Sequence, residues 1–306
     1  LALGAVLGLL WLRYTSPGPL AAPRTLVIPK AASIDQIAAR LAGAGILAEP
    51  HVFALMVQLD GRGRRLRAGE YAFPAAISAR AAAELIASGR TVMRRFTVAE
   101  GLTSAQIVAQ LRAAEGLEGE PGPPPPEGTL LPQTYFYTWG DGRQRLIERQ
   151  RQAMAAMLDE LWPARAPSLA LASAGEAVVL ASIVEKETAR PEERARVAAV
   201  FLNRLKRGMR LQADPTVVYG LTQGLGPLER ALSRADLQAR HPWNTYVIAG
   251  LPPTPIANPG RAALVAALNP APGEELYFVA DGSGGHFFAE TLAEHNRNVQ
   301  RLRQIE

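Results

Sequence analysis

The sequence predicts an α+β fold built as two domains. Runs of helical periodicity around 145–161 and 177–206 alternate with short strand-like runs such as 277–280, a pattern of helices packed with small sheets. A Gly/Pro-rich stretch, Glu115-Gly-Leu-Glu-Gly-Glu-Pro-Gly-Pro-Pro-Pro-Pro126, divides the chain and is stiffened by its proline run. Ahead of it, two segments each read strand, turn, amphipathic helix. At 306 residues the chain has room for two substantial cores.

Taken in order, the chain opens on Leu1-Ala-Leu-Gly-Ala-Val-Leu-Gly-Leu-Leu-Trp-Leu12, followed by Arg13 and with no initiator Met. A spanning helix needs about 20 apolar residues, so residues 1–14 read as the remaining part of a truncated membrane anchor. Trp11 and Tyr14 are placed near the lipid interface. A signal-peptide core is the alternative, although no small-x-small cleavage site follows directly. Residues 15–23, with Ser16-Pro-Gly-Pro19 and Ala21-Ala-Pro23, form a linker.

Over 24–114 the chain echoes itself. Val27-Ile-Pro-Lys-Ala-Ala-Ser-Ile-Asp-Gln-Ile-Ala-Ala-Arg-Leu41 resembles Thr97-Val-Ala-Glu-Gly-Leu-Thr-Ser-Ala-Gln-Ile-Val-Ala-Gln-Leu111. Ser33 and Thr103 fit helix N-caps, and Ile37 with Leu41, like Ile107 with Leu111, mark one apolar face. After the connector at 115–126, residues 127–306 form the second domain.

Composition narrows the function. The net charge is +5 and the pI near 9.8, yet arginines alternate with acids along most helices and aromatics are few, which argues against nucleic acid. Arg62-Gly-Arg-Arg-Leu-Arg67 is the single dense basic cluster and reads as a solvated turn, secondarily as a contact to anionic lipid or wall polymer. His51, His241, His286 and His295 lack paired ligand spacing and cysteine is absent, so no metal is expected. The Gly-rich stretch before His286 lacks both the P-loop and the dinucleotide signatures and reads as a hairpin turn, so no cofactor is expected. No Gly-x-Ser-x-Gly elbow is present, and Ser182 falls within a helix.

The segment Leu180-Ala-Ser-Ile-Val-Glu-Lys-Glu-Thr-Ala189 carries the chemistry. On a helix, Leu180, Ile183, Val184 and Glu187 share one stripe while Glu185 points to the other side. A carboxyl on an apolar stripe loses hydration of its charged form, so its pKa rises towards neutrality and it suits a general acid. A capping or solvated role is the bland alternative for a glutamate near a helix end.

These motifs resemble the endolytic murein transglycosylases, the YceG-like family also called MltG. The resemblance is carried by Ala181-Ser-Ile-Val-Glu-Lys-Glu-Thr188, Asn203-Arg204, Leu211-Gln-Ala-Asp-Pro-Thr216 with Tyr219, and Leu232-Ser-Arg-Ala-Asp-Leu237. Asn244-Thr-Tyr246, Gly250-Leu-Pro-Pro253 and Val279-Ala-Asp-Gly-Ser-Gly-Gly-His286 complete it. It is strongest over 127–299. Glu127-Gly-Thr-Leu-Leu-Pro-Gln-Thr-Tyr135 departs from the family pattern, because Gln133 stands where an acid is usual.

The resemblance implies a LysM-like module over 24–114, acting as spacer or glycan binder, and a catalytic domain over 127–306. It implies a lyase that cuts MurNAc–GlcNAc bonds inside nascent glycan strands and leaves 1,6-anhydro ends. Glu187 is the implied catalytic residue. Glu185, Asn203, Gln212, Asp214, Tyr219, Asn244, Tyr246 and His286 form the expected substrate-binding group. For the polar members a cap or loop brace remains open, as does a turn role for Asp214, core packing for the tyrosines and a structural role for His286. A second carboxylate at Asp214 would make a muramidase the nearest alternative, and a wall-binding scaffold is the non-catalytic one. The expected partners are peptidoglycan strands and penicillin-binding-protein synthases. The expected location is the bacterial inner membrane, single-pass, with the enzyme outside the cytoplasm.

Overall fold

The computed structural model describes residues 2–305. In order it contains α1 (Ala2–Thr15), β1 (Arg24–Ile28), α2 (Ile34–Gly43), α3 (Pro50–Leu59), β2 (Gly69–Phe73), α4 (Ala79–Ser88), β3 (Arg94–Thr97) and α5 (Ser104–Ala113). There follow β4 (Thr134–Tyr137), α6 (Arg143–Leu161), α7 (Ala174–Glu187), α8 (Arg194–Lys206), α9 (Asp214–Thr222) and α10 (Arg234–Gln238). The chain ends with α11 (Arg261–Leu268), β5 (Tyr277–Ala280), β6 (His286–Ala289) and α12 (Leu292–Ile305). The strands pair two by two as β1–β2, β3–β4 and β5–β6, so the architecture is α+β.

Two compact units emerge. One holds the chain up to Arg95 with Glu115–Glu118 and Phe136–Asp141; the other holds Phe96–Ala114, Gly119–Tyr135 and everything from Gly142. This division runs elsewhere than the expected 24–114 and 127–306 boundaries, because the second strand–turn–helix repeat groups with the later helices.

In the first unit β1 and β2 run antiparallel, with Arg24 opposite Phe73 and Ile28 opposite Gly69. Ser33 caps α2 through a reciprocal capping box with Gln36, as its position predicts. Ile28, Leu41, Phe53, Val57, Tyr71 and Phe73 fill the core. Tyr14 corrects the sequence reading. It is fully buried in that core and donates to Asp60 at 3.3 Å, so protein covers the ring that the interfacial reading would present to lipid. The expected linker is also anchored, since Gly18 donates to Ala76 and Ala76 to Leu20. A Cβ at Gly18 would collide with the Ile77 carbonyl, which is why glycine stands there. Among the described residues no helix is long and apolar enough to cross a membrane. The basic cluster forms a single 3₁₀ turn, Arg62–Arg65, and Arg62 pairs with Asp60 and Glu84.

In the second unit α7, α8 and α11 form the core, with Leu180, Ile183, Val184, Val197, Phe201, Leu264 and Ala267 packed together. All eight residues from Ala177 to Val184 are buried. The helix is therefore buried all round and not on one stripe. The expected continuous helix over 177–206 also breaks. Thr188 turns extended at φ −138° and ψ 132°, and Pro191 opens a 3₁₀ turn before α8. Proline lacks the N–H that a helix interior needs and disfavours helix in the residue before it. Thr103 caps α5 with a capping box to Gln106, and β5 and β6 form the expected hairpin, pairing Ala280 with His286.

Candidate active site

Glu187 is the last residue of α7, where the buried helix runs out and its side chain keeps a partial opening to solvent. Burial first, and then the charge of Asp214, push its carboxyl up to about 7 against the lowering influence of Arg204. A group at that value holds both protonation states near neutral pH, as a general acid that later turns base requires.

Asp214 reaches the site as the first residue of α9. The loop before it is held in place by Gln212, whose N–H donates to the Thr245 carbonyl at 3.1 Å, and by Ala213, whose N–H donates to Thr245 Oγ1 at 3.0 Å. Gln212 takes the left-handed φ of 51°, a costly conformation for a residue with a side chain. Thr216 and Thr245, both fully buried, share a hydroxyl hydrogen bond of 2.8 Å. This bond ties α9 to the 244–246 loop and so brings Tyr246 onto Asp214, to which its hydroxyl donates at 2.5 Å. Burial and that carboxylate together raise the Tyr246 phenol well above its ordinary value.

Arg204 was not among the expected site residues. Its guanidinium is buried and donates from Nε to the Leu276 carbonyl and from an Nη to the Leu211 carbonyl, each at 2.6 Å. It lies 5.4 Å over the Tyr277 ring. Burial lowers its pKa, and the negative charge of Glu187 works the other way. The sequence carried a signal for it, because Arg204 follows Val197, Val200 and Phe201 on the buried side of α8, where a cation needs partners.

Two cavities lie in the same unit, and the smaller reaches Asp214. The larger, about 1090 Å³, is walled mainly by apolar residues including Val178, Tyr219, Trp243 and Pro252, with Glu127 at its edge. The smaller, about 440 Å³, is lined by Lys186, Asp214 and Tyr219. Tyr219 belongs to both, Asp214 lines the smaller, and Glu187 lines neither. The ring beside Tyr219 is Trp243, at 5.7 Å between centroids, while Tyr246 serves Asp214.

The remaining expected residues hold internal hydrogen bonds. Glu185, with a side chain 5% exposed, accepts the Gly260 N–H at 2.8 Å and pairs with Arg194 at 3.2 Å, bracing the start of α11. Asn203 donates to the carbonyls of Gly273 and Glu275, both at 3.0 Å. Asn244 is 1% exposed and donates to the carbonyls of Asp236, Leu237 and Ala239 at the end of α10. His286 pairs with Glu193 at 2.7 Å. Gln212 and Asp214 are exposed, and Tyr219 and Tyr246 are partly so. Gln133 is exposed and takes the Val98 N–H on its backbone carbonyl. Among the described residues no group of three His, Asp or Glu is arranged to hold a metal ion.

Comparison with known proteins places this arrangement. The endolytic murein transglycosylase of Bacillus subtilis (strain 168) is 34% identical over 177 residues, covering 58% of this chain and 48% of that protein. The endolytic murein transglycosylase of Streptococcus pneumoniae serotype 2 is 33% identical over 180 residues, covering 56% of this chain and 31% of that protein. The match thus spans about half the length of the first relative and less of the second. A crystal structure of a yceG-like protein from Listeria monocytogenes superposes with a TM-score of 0.53 at 29% identity, covering 90% of this chain and 99% of that one. The model of the YceG-like family matches residues 26–301, nearly the whole sequence. The chain therefore belongs to the YceG-like family.

Proposed function

We propose that this protein is an endolytic lytic transglycosylase acting on peptidoglycan, with Glu187 as acid and then base. The observation that carries the reading is Glu187 itself, a carboxyl raised to about 7 at the end of a buried helix and beside the charge of Asp214. Protonated Glu187 gives its proton to the glycosidic oxygen between MurNAc and GlcNAc as the C1–O bond breaks. The C6 hydroxyl of the same MurNAc closes on C1, and the Glu187 carboxylate takes up the hydroxyl proton. Atoms and charge balance without water. The attack is intramolecular, so positioning supplies much of the rate and one acid suffices. Gln212, Asp214, Tyr219 and Tyr246 border the site and supply the polar and aromatic contacts that a sugar needs.

One observation favours a second reading. Asp214 is close enough to influence Glu187 electrostatically, and a carboxyl pair is the equipment of a hydrolase, so muramidase activity is the competing chemistry. Soluble muropeptide release from uncrosslinked peptidoglycan, by wild type and by Glu187→Gln, tests the catalytic role. Release by both alike would defeat it, and release by neither would leave the wall-binding scaffold.

The order β1–α2–α3–β2, with its outer strands paired antiparallel, supports a LysM-like reading of the first unit. The exposed apolar side chains of α1, among them Val6, Leu9 and Leu12, support α1 as part of a membrane anchor. With the enzyme outside the cytoplasm, its partners would be nascent glycan strands and the synthases that extend them.

A further inference from the structure

The hairpin turn before His286 closes on the link that follows Glu187. Because α7 ends at Glu187, the residues just after it fix the direction in which that side chain leaves the helix. Thr188 is 4% exposed. Its hydroxyl donates to Glu193 Oε2 at 3.3 Å and accepts the Arg190 N–H at 3.1 Å. Glu193 in turn takes the His286 N–H on Oε1 at 3.0 Å and faces the His286 ring Nδ1 with Oε2 at 2.7 Å. Burial acts to raise the Glu193 carboxyl, but His286 and the Thr188 hydroxyl together outweigh it and hold it below its usual range. An ionised carboxylate only accepts, so Nδ1 carries the proton.

A second strap crosses beside the first. Arg190 donates to the Ser283 carbonyl at 2.7 Å, and Asp281 Oδ1 gathers the N–H groups of Ser283 at 2.7 Å and Gly285 at 3.0 Å. Gly285 leaves the approach open, since a Cβ there would lie 2.8 Å from Glu193 Oε1. The His286 ring stands edge-on to Phe278 at 5.3 Å, and Phe278 stands edge-on to Phe201 of α8. The histidine is thereby fixed to the core on one side and to the link on the other.

We propose that His286 is a positioning residue, which through Glu193 and Thr188 holds the end of α7, and with it Glu187, in the orientation that proton transfer requires. The proposal rests on the reading of Glu187 as the acid. Misplacing a reacting group by about 1 Å costs on the order of a hundredfold in rate, whereas a merely structural histidine would move stability alone.

The test compares the full chain with His286→Ala, His286→Gln and His286→Asn, on uncrosslinked peptidoglycan strands, with melting curves beside the kinetics. An asparagine amide nitrogen sits where Nδ1 does and can donate to Glu193; a glutamine amide nitrogen does not. We expect the alanine and glutamine variants to lose about tenfold or more in kcat with KM unchanged, and asparagine to restore most of it. Unchanged kcat in folded His286→Ala, a loss confined to KM, or a folded His286→Asn as impaired as His286→Gln would overturn the proposal. Should the alanine variant not fold, the asparagine–glutamine pair decides. A wild type without product would instead remove the activity itself.

Discussion

Tyr246 donates its hydroxyl to Asp214 at 2.5 Å across 32 positions of sequence, and the carboxylate it holds is the group whose charge lifts Glu187 after burial has done so. A phenol thus sets the place of one acid and, through it, the proton affinity of another. Arg204 opposes the lift from a buried position. The site is a balance of three charges set on separate elements.

Stability should reveal the raised carboxyl directly. Glu187 moves from an ordinary 4.5 to about 7 on folding, so between those values the folded chain holds a proton that the unfolded chain has released. Its contribution is complete below about pH 4.5 and is lost as pH rises through about 7, on the order of 3 kcal/mol in all. Chemical denaturation across this window should show wild type losing stability relative to Glu187→Gln. Parallel curves would contradict the raised value.

Asp214→Asn removes the charge that adds to the lift. The Glu187 pKa then falls, and the alkaline limb of the pH–rate profile moves to lower pH by about one unit or less. A limb that stays in place would mean that Asp214 does not act on the acid.

Glu185→Ala should behave as the loss of a brace. It leaves the Gly260 N–H without its acceptor and Arg194 with the longer contact to Glu100 at 3.5 Å, which costs about 1–3 kcal/mol. KM for glycan should not move. An altered KM at unchanged stability would return Glu185 to the substrate surface.

The local features were legible in the sequence because local rules govern them. Ser33 and Thr103 cap their helices through residues three positions on, and the Gly-rich turn closes the β5–β6 hairpin. The raised carboxyl of Glu187 was legible too, although the stripe that singled it out belongs to a helix buried on every side. What pairs at long range was not. The Tyr246–Asp214 contact depends on the buried Thr216–Thr245 bond, and the His286–Glu193 contact joins residues 93 apart. For Asn203 and Asn244 the sequence leaves sugar contact and loop brace both open, and for Glu185 it expects substrate, because nothing local shows which backbone groups these side chains hold. The break before α8 had its signal in Pro191.

In the proposed reaction Glu187 drives an intramolecular ring closure. Digestion of uncrosslinked peptidoglycan in H₂¹⁸O, followed by mass spectrometry of the products of wild type and Glu187→Gln, tests it most directly. Wild type should yield 1,6-anhydro-muramic ends without the heavy isotope, and the variant none. Reducing ends carrying ¹⁸O would show that water is the nucleophile and would contradict it.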